Sequence, residues 1–263
     1  MNIKALKYYD KGVIIMVASK EINELSQIDM EGNNLIKMEM KFDYSNMIKI
    51  IDKPSAMIFP HLSGIAANNY IEQFGRICYK SEDKITDNSS EPFIKMLIRL
   101  GHESVLEHIS CSFKIVTDRG ISHELVRHRI ASYSQESTRY CNYKGKPISF
   151  VKPINIEYNT PEFDIWEMNC INCAIAYNEL INKGIKPQIA RATLNTSLKT
   201  ELIMTCNLRE WRHFIKLRTD PKAHPDMQYL TNQILSALYR YFPVVFEDLY
   251  NKIFTRMAPD NTL

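Results

Sequence analysis

The sequence predicts an α+β fold, a single mixed domain in which helices and strands are interspersed without regular βαβ alternation. Apolar residues recur at helical spacing in several segments and alternate in others, with no internal repeat. The 263-residue chain is 45% hydrophobic and 24% charged with only 8 Gly and 11 Pro, a globular composition long enough for a substantial core. No apolar run approaches the roughly 20 residues that a membrane helix requires.

Residues 1–45 read as an N-terminal extension rich in Lys, Asn, Met and Ile, leaving 46–263 as the domain proper. The run VIIMVA and the turn signals at Lys11-Gly12 and Glu31-Gly32-Asn33-Asn34 predict a small hairpin or appended edge, with no residues for chemistry. That run is short and bounded by lysines, unlike a cleavable signal, and the six cysteines are scattered, so a cytoplasmic chain with reduced thiols is expected.

Residues 55–60, SAMIFP, precede a helix-like segment from His61 that ends near Gly75, followed by Arg76-Ile77-Cys78-Tyr79. The stretch Asp87 to Pro92 is a helix start with a serine cap and proline in the first turn. That helix stops at Gly101. Residues 109–117 alternate as a strand with one buried face. Residues 120–129 predict a helix that delivers Glu124, Arg127 and His128 near its C-terminal end, and 131–140 lack an apolar period, which predicts an ordered loop. Thr160-Pro161-Glu162 opens a long helix closed by Gly184, with an apolar stripe through Ile165, Trp166, Met168, Ile171, Ala174, Ile175 and Leu180. Pro187 starts a short helix carrying Arg191; 199–206 form a strand, and Asn207 turns into a helix through Arg218. The final helical region, 226–254, is interrupted by Pro243.

A net charge of +3 is too small to imply a polyanion partner, but its placement is informative. Only 12 of the 33 basic residues are Arg, yet residues 119–139 contain Arg119, Arg127, Arg129 and Arg139 and no Lys. Guanidinium groups match phosphate oxygens bidentately, and the hydroxyls and amides between them can read the edge of a base. The stretch suits a phosphate ester beside a flat heterocycle.

Other chemistries are weaker. His102-Glu103 with Glu107-His108, and His123-Glu124 with His128, resemble the helical zinc protease motif but miss its spacing. Histidines at i and i+4 lie about 40° apart round a helix, whereas i and i+5 lie about 140° apart. No metal is therefore expected, and His102 and His108 read as capping or hydrogen-bonding groups after the preceding helix. Cys170 and Cys173 sit inside a helical apolar pattern and read as core or helix-surface thiols. Ser137 with His128 as base lacks a nucleophile elbow, its neighbours being Glu136 and Thr138. No Gly-rich phosphate loop occurs, so a nucleotide cofactor would be held by side chains such as Arg127, Arg129, Arg209 and Arg218.

Arg127-His128-Arg129, seven residues, then Ser137 and Arg139-Tyr140 resembles the RHR-x7-S motif of flavin-dependent thymidylate synthases. Three further segments agree in order. Arg76-Ile77-Cys78-Tyr79 is similar to the family's R-x-C/S-Y/F element, Gly101-His102-Glu103-Ser104 with Glu107-His108 to its GHE-S/T-xxEH segment, and Asn207-Leu208-Arg209 with Leu217-Arg218 to its N-x-R…LR pair. The resemblance spans roughly residues 46–255.

It implies a homotetramer with active sites between subunits, which methylates dUMP using FAD, NADPH and 5,10-methylenetetrahydrofolate. The resemblance places Cys78, Ser104, Glu107, Arg127, His128, Arg129, Gln135, Asn207, Leu208, Arg209 and His213 on flavin positions. It places Glu124, Leu125, Val126, Arg127, Gln135, Glu136, Ser137, Thr138, Arg139, Arg191 and Arg218 on dUMP positions. Arg218 matches the position that stabilises the uracil ring as electron density moves to C5, and Ser137 matches a substrate-binding serine rather than a nucleophile. Glu136, Thr138 and His213 depart from the residues common at their family positions. A carboxylate beside the phosphate would repel it, so the side chain of Glu136 is expected to point away.

A competing reading is a single-stranded nucleic-acid or nucleotide binding module that stacks bases on Tyr133, Tyr140 and Tyr143. The small net charge and the pocket-sized arginine set oppose it, and the enzyme reading expects neither a nucleic-acid nor a membrane partner.

Overall fold

The computed structural model describes residues 4–10, 13–19, 47–60 and 62–257. Its strands are β1 (Lys4–Asp10), β2 (Val13–Ser19), β3 (Ile48–Ile51), β4 (Ser55–Pro60), β5 (Ser110–Asp118), β6 (Ser132–Gln135), β7 (Ile148–Val151) and β8 (Lys199–Asn207). Its helices are α1 (Gly64–Tyr79), α2 (Ser90–Arg99), α3 (Arg119–Leu125), α4 (Pro161–Asn182), α5 (Pro187–Ala190), α6 (Leu208–Arg218), α7 (Pro225–Tyr241) and α8 (Pro243–Met257). The expected mixture of helices and strands is present, and the chain divides into two compact units.

The larger unit comprises Ile51–Glu136, Val151–Asn155 and Thr196–Leu263. Its four-stranded antiparallel sheet has the order β4-β5-β8-β6. Strict alternation in β5 and β8 buries Cys111, Phe113 and Ile115 beside Leu202, Met204 and Cys206 on one face. That face, with the apolar sides of α1, α2, α6, α7 and α8, makes the main core. The opposite face is mixed, with the apolar Met57, Phe59, Val116 and Ile203 among charged and hydroxyl side chains. There Glu201 pairs with Lys114 at 2.8 Å and Lys199 at 2.9 Å, and hydrogen bonds from both lysines hold its carboxyl down at about 2.

Helix α1 runs on to Tyr79 rather than ending near Gly75, and Lys80 caps it in the left-handed conformation. Gly75 is there for close approach: an added Cβ would lie 2.6 Å from the Phe93 ring and 3.2 Å from Leu97. Arg76 stabilises the same junction. Its guanidinium chelates Glu72 at 2.9 and 3.1 Å and lies 4.1 Å from the Phe93 ring centroid. Alanine is better than glycine in a helix by about 1 kcal/mol, but overpacking a core typically costs about 1–3 kcal/mol. Gly75→Ala is therefore expected to lower stability by about 1 kcal/mol net in urea unfolding; a stabilised variant would mean that α1 and α2 separate at little cost.

Helix α2 begins at the expected place, but Ser89 does not cap it through its side chain. Its hydroxyl instead accepts from the Thr86 amide and donates to Glu72, so the buried carboxylate outcompetes the helix end. Helix α3 is shorter than expected and leaves Arg127 and His128 just beyond it. Residues 131–140 are not all loop, because β6 pairs Ser132–Gln135 against β8. Serines alternate there with half-buried Tyr133 and Gln135, an edge-strand pattern without an apolar period.

The smaller unit comprises Met1–Ile50, Ser137–Phe150 and Ile156–Asn195. β1 and β2 pair antiparallel, with Asp10 opposite Val13, which gives the expected hairpin. The turn expected at Glu31–Asn34 lies outside the described residues. Thr160 caps α4 through its hydroxyl, Pro161 opens it, and Gly184 follows it at φ 81°. The buried stripe of α4 is Phe163, Cys170, Ile171, Ala174, Tyr177 and Ile181, rotated from the expected one, and Ile165 is 73% exposed. The aromatic rings of Phe163 and Tyr177 set that face. Cys170 is a buried thiol pushed up to about 12 by desolvation, which excludes it as a reactive group.

Candidate active site

Helix α6 organises the chemistry of the larger unit. The Asn207 side chain caps it by accepting from the Glu210 amide at 2.8 Å. Trp211, Phe214 and Ile215 are fully buried, and Trp211 donates its indole N–H to the Cys111 carbonyl at 3.2 Å. With that face anchored, helical geometry leaves Arg209 and His213, four residues apart, on the exposed face. Arg218 ends the helix, where its charge complements the dipole.

The end of α3 meets this helix. Asp118 caps α3 by accepting from the Ile121 amide at 2.8 Å, and a tight turn carries the chain past Leu125 to His128. Arg218 Nε donates to His128 Nε2 at 3.0 Å, Nη1 donates to Glu124 Oε2 at 2.7 Å, and Nη2 donates to the Glu124 carbonyl at 3.0 Å. These three bonds fix the guanidinium plane and leave one N–H on each terminal nitrogen for another acceptor.

Because His128 Nε2 accepts, its proton sits on Nδ1, which faces Glu210 Oε1 at 3.3 Å. Burial, the Arg218 cation and His213 lower the His128 pKa to about 4. Glu210 moves the other way, its carboxyl raised by burial. The imidazole is therefore neutral at pH 7, a rigid strut rather than a base poised near neutrality. The sign of the linkage follows. The unfolded imidazole takes up a proton near pH 6.5 while the folded one waits until about 4, so the His128 contribution is complete above 6.5 and is lost as pH falls to 4. Over that window the loss is about 3 kcal/mol. His128→Phe is expected to flatten the urea midpoint between pH 6.5 and 4; an unchanged slope would contradict the assignment.

His128, Glu210 and His213 are also the described group whose ligand atoms lie close enough, within 4.8 Å, to hold a metal. The Arg218 guanidinium already donates to one of those atoms, and a second cation there would be repelled. The group reads as a hydrogen-bonded cluster.

A cavity of about 310 Å³ opens near the start of α6, lined by Cys78, Tyr79, His102, Glu103, Ser104 and Arg209 among others. Gly101, at φ 76°, turns the chain off α2 into it. The Tyr79 hydroxyl meets His102 Nδ1 at 2.6 Å, so His102 is the hydrogen-bonding group expected from the sequence and also faces the cavity. Arg209 pairs with Glu107, and both are about half exposed, which makes the pair exchangeable with an incoming anion.

Among the remaining expected site residues, Arg127, Arg129 and Val126 are exposed, whereas the Leu125 and Leu208 side chains belong to the core and offer a ligand only backbone. Gln135 is held through its amide nitrogen by Ser122 at 3.0 Å and Thr200 at 3.1 Å. The Glu136 carboxylate pairs with Lys199 at 3.1 Å, while its carbonyl accepts from Arg119. In the smaller unit, Arg191 Nη1 donates to Thr138 Oγ1 at 2.9 Å, and Ser137 Oγ accepts from the Arg139 amide at 3.3 Å.

A model of the thymidylate synthase complementing protein family matches residues 63–244. The chain belongs to that family. The flavin-dependent thymidylate synthase of Geobacter sulfurreducens is 34% identical over 192 residues, covering 70% of this chain and 83% of that protein. The Pyrococcus furiosus flavin-dependent thymidylate synthase is 33% identical over 171 residues, covering 64% and 70%. Among solved structures, the UMP/dUMP methylase PolB from Streptomyces cacaoi, bound with 5-Br dUMP, superimposes with a TM-score of 0.65 at 25% identity, covering 81% of this chain and all of that one. Sequence reasoning missed Glu210 and Glu103 as partners of His128 and Arg212. The i, i+3 spacing of Asn207, Glu210 and His213 over nearly two helix turns was the available signal for Glu210; Glu103 had none, because its partner is 109 residues away.

Proposed function

We propose that the protein is a flavin-dependent thymidylate synthase, converting dUMP to dTMP with 5,10-methylenetetrahydrofolate as carbon donor and NADPH-reduced FAD as hydride source. The observation that carries this reading is Arg218, locked in plane by Glu124 and His128 with two N–H groups still to offer, in a chain of this family. The reaction joins the folate methylene carbon to uracil C5, breaks that carbon's bonds to the folate nitrogens so that tetrahydrofolate leaves, releases the C5 proton, and completes the methyl group with a hydride.

FAD suits the residues present. A side-chain cavity bounded by Ser104 and Arg209, with an exchangeable Arg209–Glu107 pair at its rim, substitutes for the missing Gly-rich loop in holding a phosphate-bearing planar group. Bound there, the flavin supplies the redox chemistry. Cys78, Ser104, Glu107, Asn207, Leu208, Arg209 and His213 hold it, with Arg127, His128, Arg129 and Gln135. For dUMP, Arg127, Ser137, Arg139 and Arg191 grip the phosphate. The engagement of Glu136 with Lys199 supports its pointing away from that phosphate. Arg218 stabilises negative charge at the uracil edge, aimed by a neutral His128 that adds no competing cation. Residues 46–263 form the synthase domain, 1–45 are appended to it, and the active sites lie between subunits of a cytoplasmic homotetramer.

The test is a titration of purified protein with FAD and then dUMP. A yellow complex whose flavin fluorescence is quenched, and perturbed again by dUMP, is expected. A colourless protein that binds oligonucleotides in a salt-dependent way instead would overturn the proposal.

A further inference from the structure

Arg212 has no part in the chemistry described so far, yet it is the most heavily engaged charge in the larger unit. It lies on α6 between Arg209 and Arg218 and is 1% exposed. Its Nε donates to Glu103 Oε1 at 3.1 Å, and its two terminal nitrogens chelate Asp248 at 2.7 Å each. Nη1 also donates to the Val245 carbonyl. Lys216, one turn further along α6, reaches the same Glu103 oxygen at 3.4 Å.

These contacts join three elements. Glu103 stands between His102 and Ser104, so the carboxylate that Arg212 holds belongs to the turn lining the cavity. Val245 and Asp248 lie on α8, past residue 244 where the family match ends. Arg212 is buried while the Glu103 and Asp248 side chains keep 16% and 49% exposure; such a pair adds little net stability over apolar packing, but it admits only one geometry. A bidentate guanidinium fork sets distance and plane together, which a hydrophobic contact cannot do.

We propose that Arg212 is a positioning residue: it locks the Glu103–Ser104 turn against α6 and α8 and so sets the affinity of the cavity for FAD without touching it. This rests on the flavin reading above. If Glu103 is released, the turn loses its ion pairs to Arg212 and Lys216 on α6, and Ser104 beside it is no longer held in the cavity lining with Arg209.

The experiment is flavin-fluorescence titration of the full chain with FAD, done well below each variant's melting temperature, with that temperature measured in parallel. Glu103→Gln keeps the shape and is expected to raise the FAD Kd about tenfold, corresponding to about 1.4 kcal/mol, with a small change in Tm. Arg212→Lys, which keeps the charge but not the fork, should give a similar loss, and Asp248→Asn a smaller one. Combining Glu103→Gln with Arg212→Lys should add little to either alone, because both act through one contact. If Arg212→Lys fails to fold, Glu103→Gln still decides. A Glu103→Gln Kd within twofold of wild type would leave Arg212 a structural residue only and overturn the positioning role. A wild-type chain that binds no FAD would overturn the flavin reading as well.

Discussion

Arg218→Ala is expected to lower kcat/KM for dTMP formation by about 10³-fold, on the order of 4 kcal/mol of transition-state stabilisation, while flavin remains bound. The magnitude follows from what the guanidinium would do. Uracil C5 attacks only as negative charge builds on the ring, and a donor already fixed in plane costs no reorganisation when that charge appears. Glu124 and His128 provide the fixing, with bonds of 2.7 and 3.0 Å. Removing Arg218 also removes a cation that holds down the His128 pKa, so His128 should titrate closer to 6.5 in the variant. Arg218→Lys should fall between, keeping charge and losing the fork. Steady-state kinetics with the flavin absorption spectrum as control check this, and undiminished turnover would remove Arg218 from its role.

Trp211→Ala is expected to destabilise the fold by about 4 kcal/mol in denaturant unfolding, the usual range for a fully buried large aromatic being about 3–5 kcal/mol. Trp211 is fully buried, meets Phe113 and Phe214 edge to face at 4.9 and 5.5 Å, and satisfies the Cys111 carbonyl. Against a total stability of about 5–15 kcal/mol, such a loss matters. It also bears on function, since the same packing aims Arg209, His213 and Arg218. Trp211→Phe, which retains most of the area, should cost about 1–2 kcal/mol. A cost below about 1 kcal/mol for the alanine variant would mean that α6 is held from elsewhere.

What the sequence made legible was local. Alternation in β5, the strand at β8, the start of α6 after Asn207 and the terminal glycines of α2 and α4 are signals carried within a few residues, and each appears where expected. Long-range competition was not legible. Ser89 gave up its capping role to Glu72, 17 residues away, and β6 became a strand because β8 offered it an edge. Gly75 looked like a helix terminator because its real constraint, the Phe93 ring, comes from another helix. The motif arginines could be picked out by type and spacing. The state of His128 could not, because its burial and its contact with Arg218 arise only on folding.

The most direct test of the central claim is transfer of labelled methylene carbon from 5,10-methylenetetrahydrofolate to dUMP by the purified chain with FAD and NADPH. Label at the C5 methyl of dTMP, lost when either FAD or NADPH is omitted and reduced about 10³-fold by Arg218→Ala, is the predicted result. Flavin-bound, folded protein that releases no labelled dTMP would contradict the account.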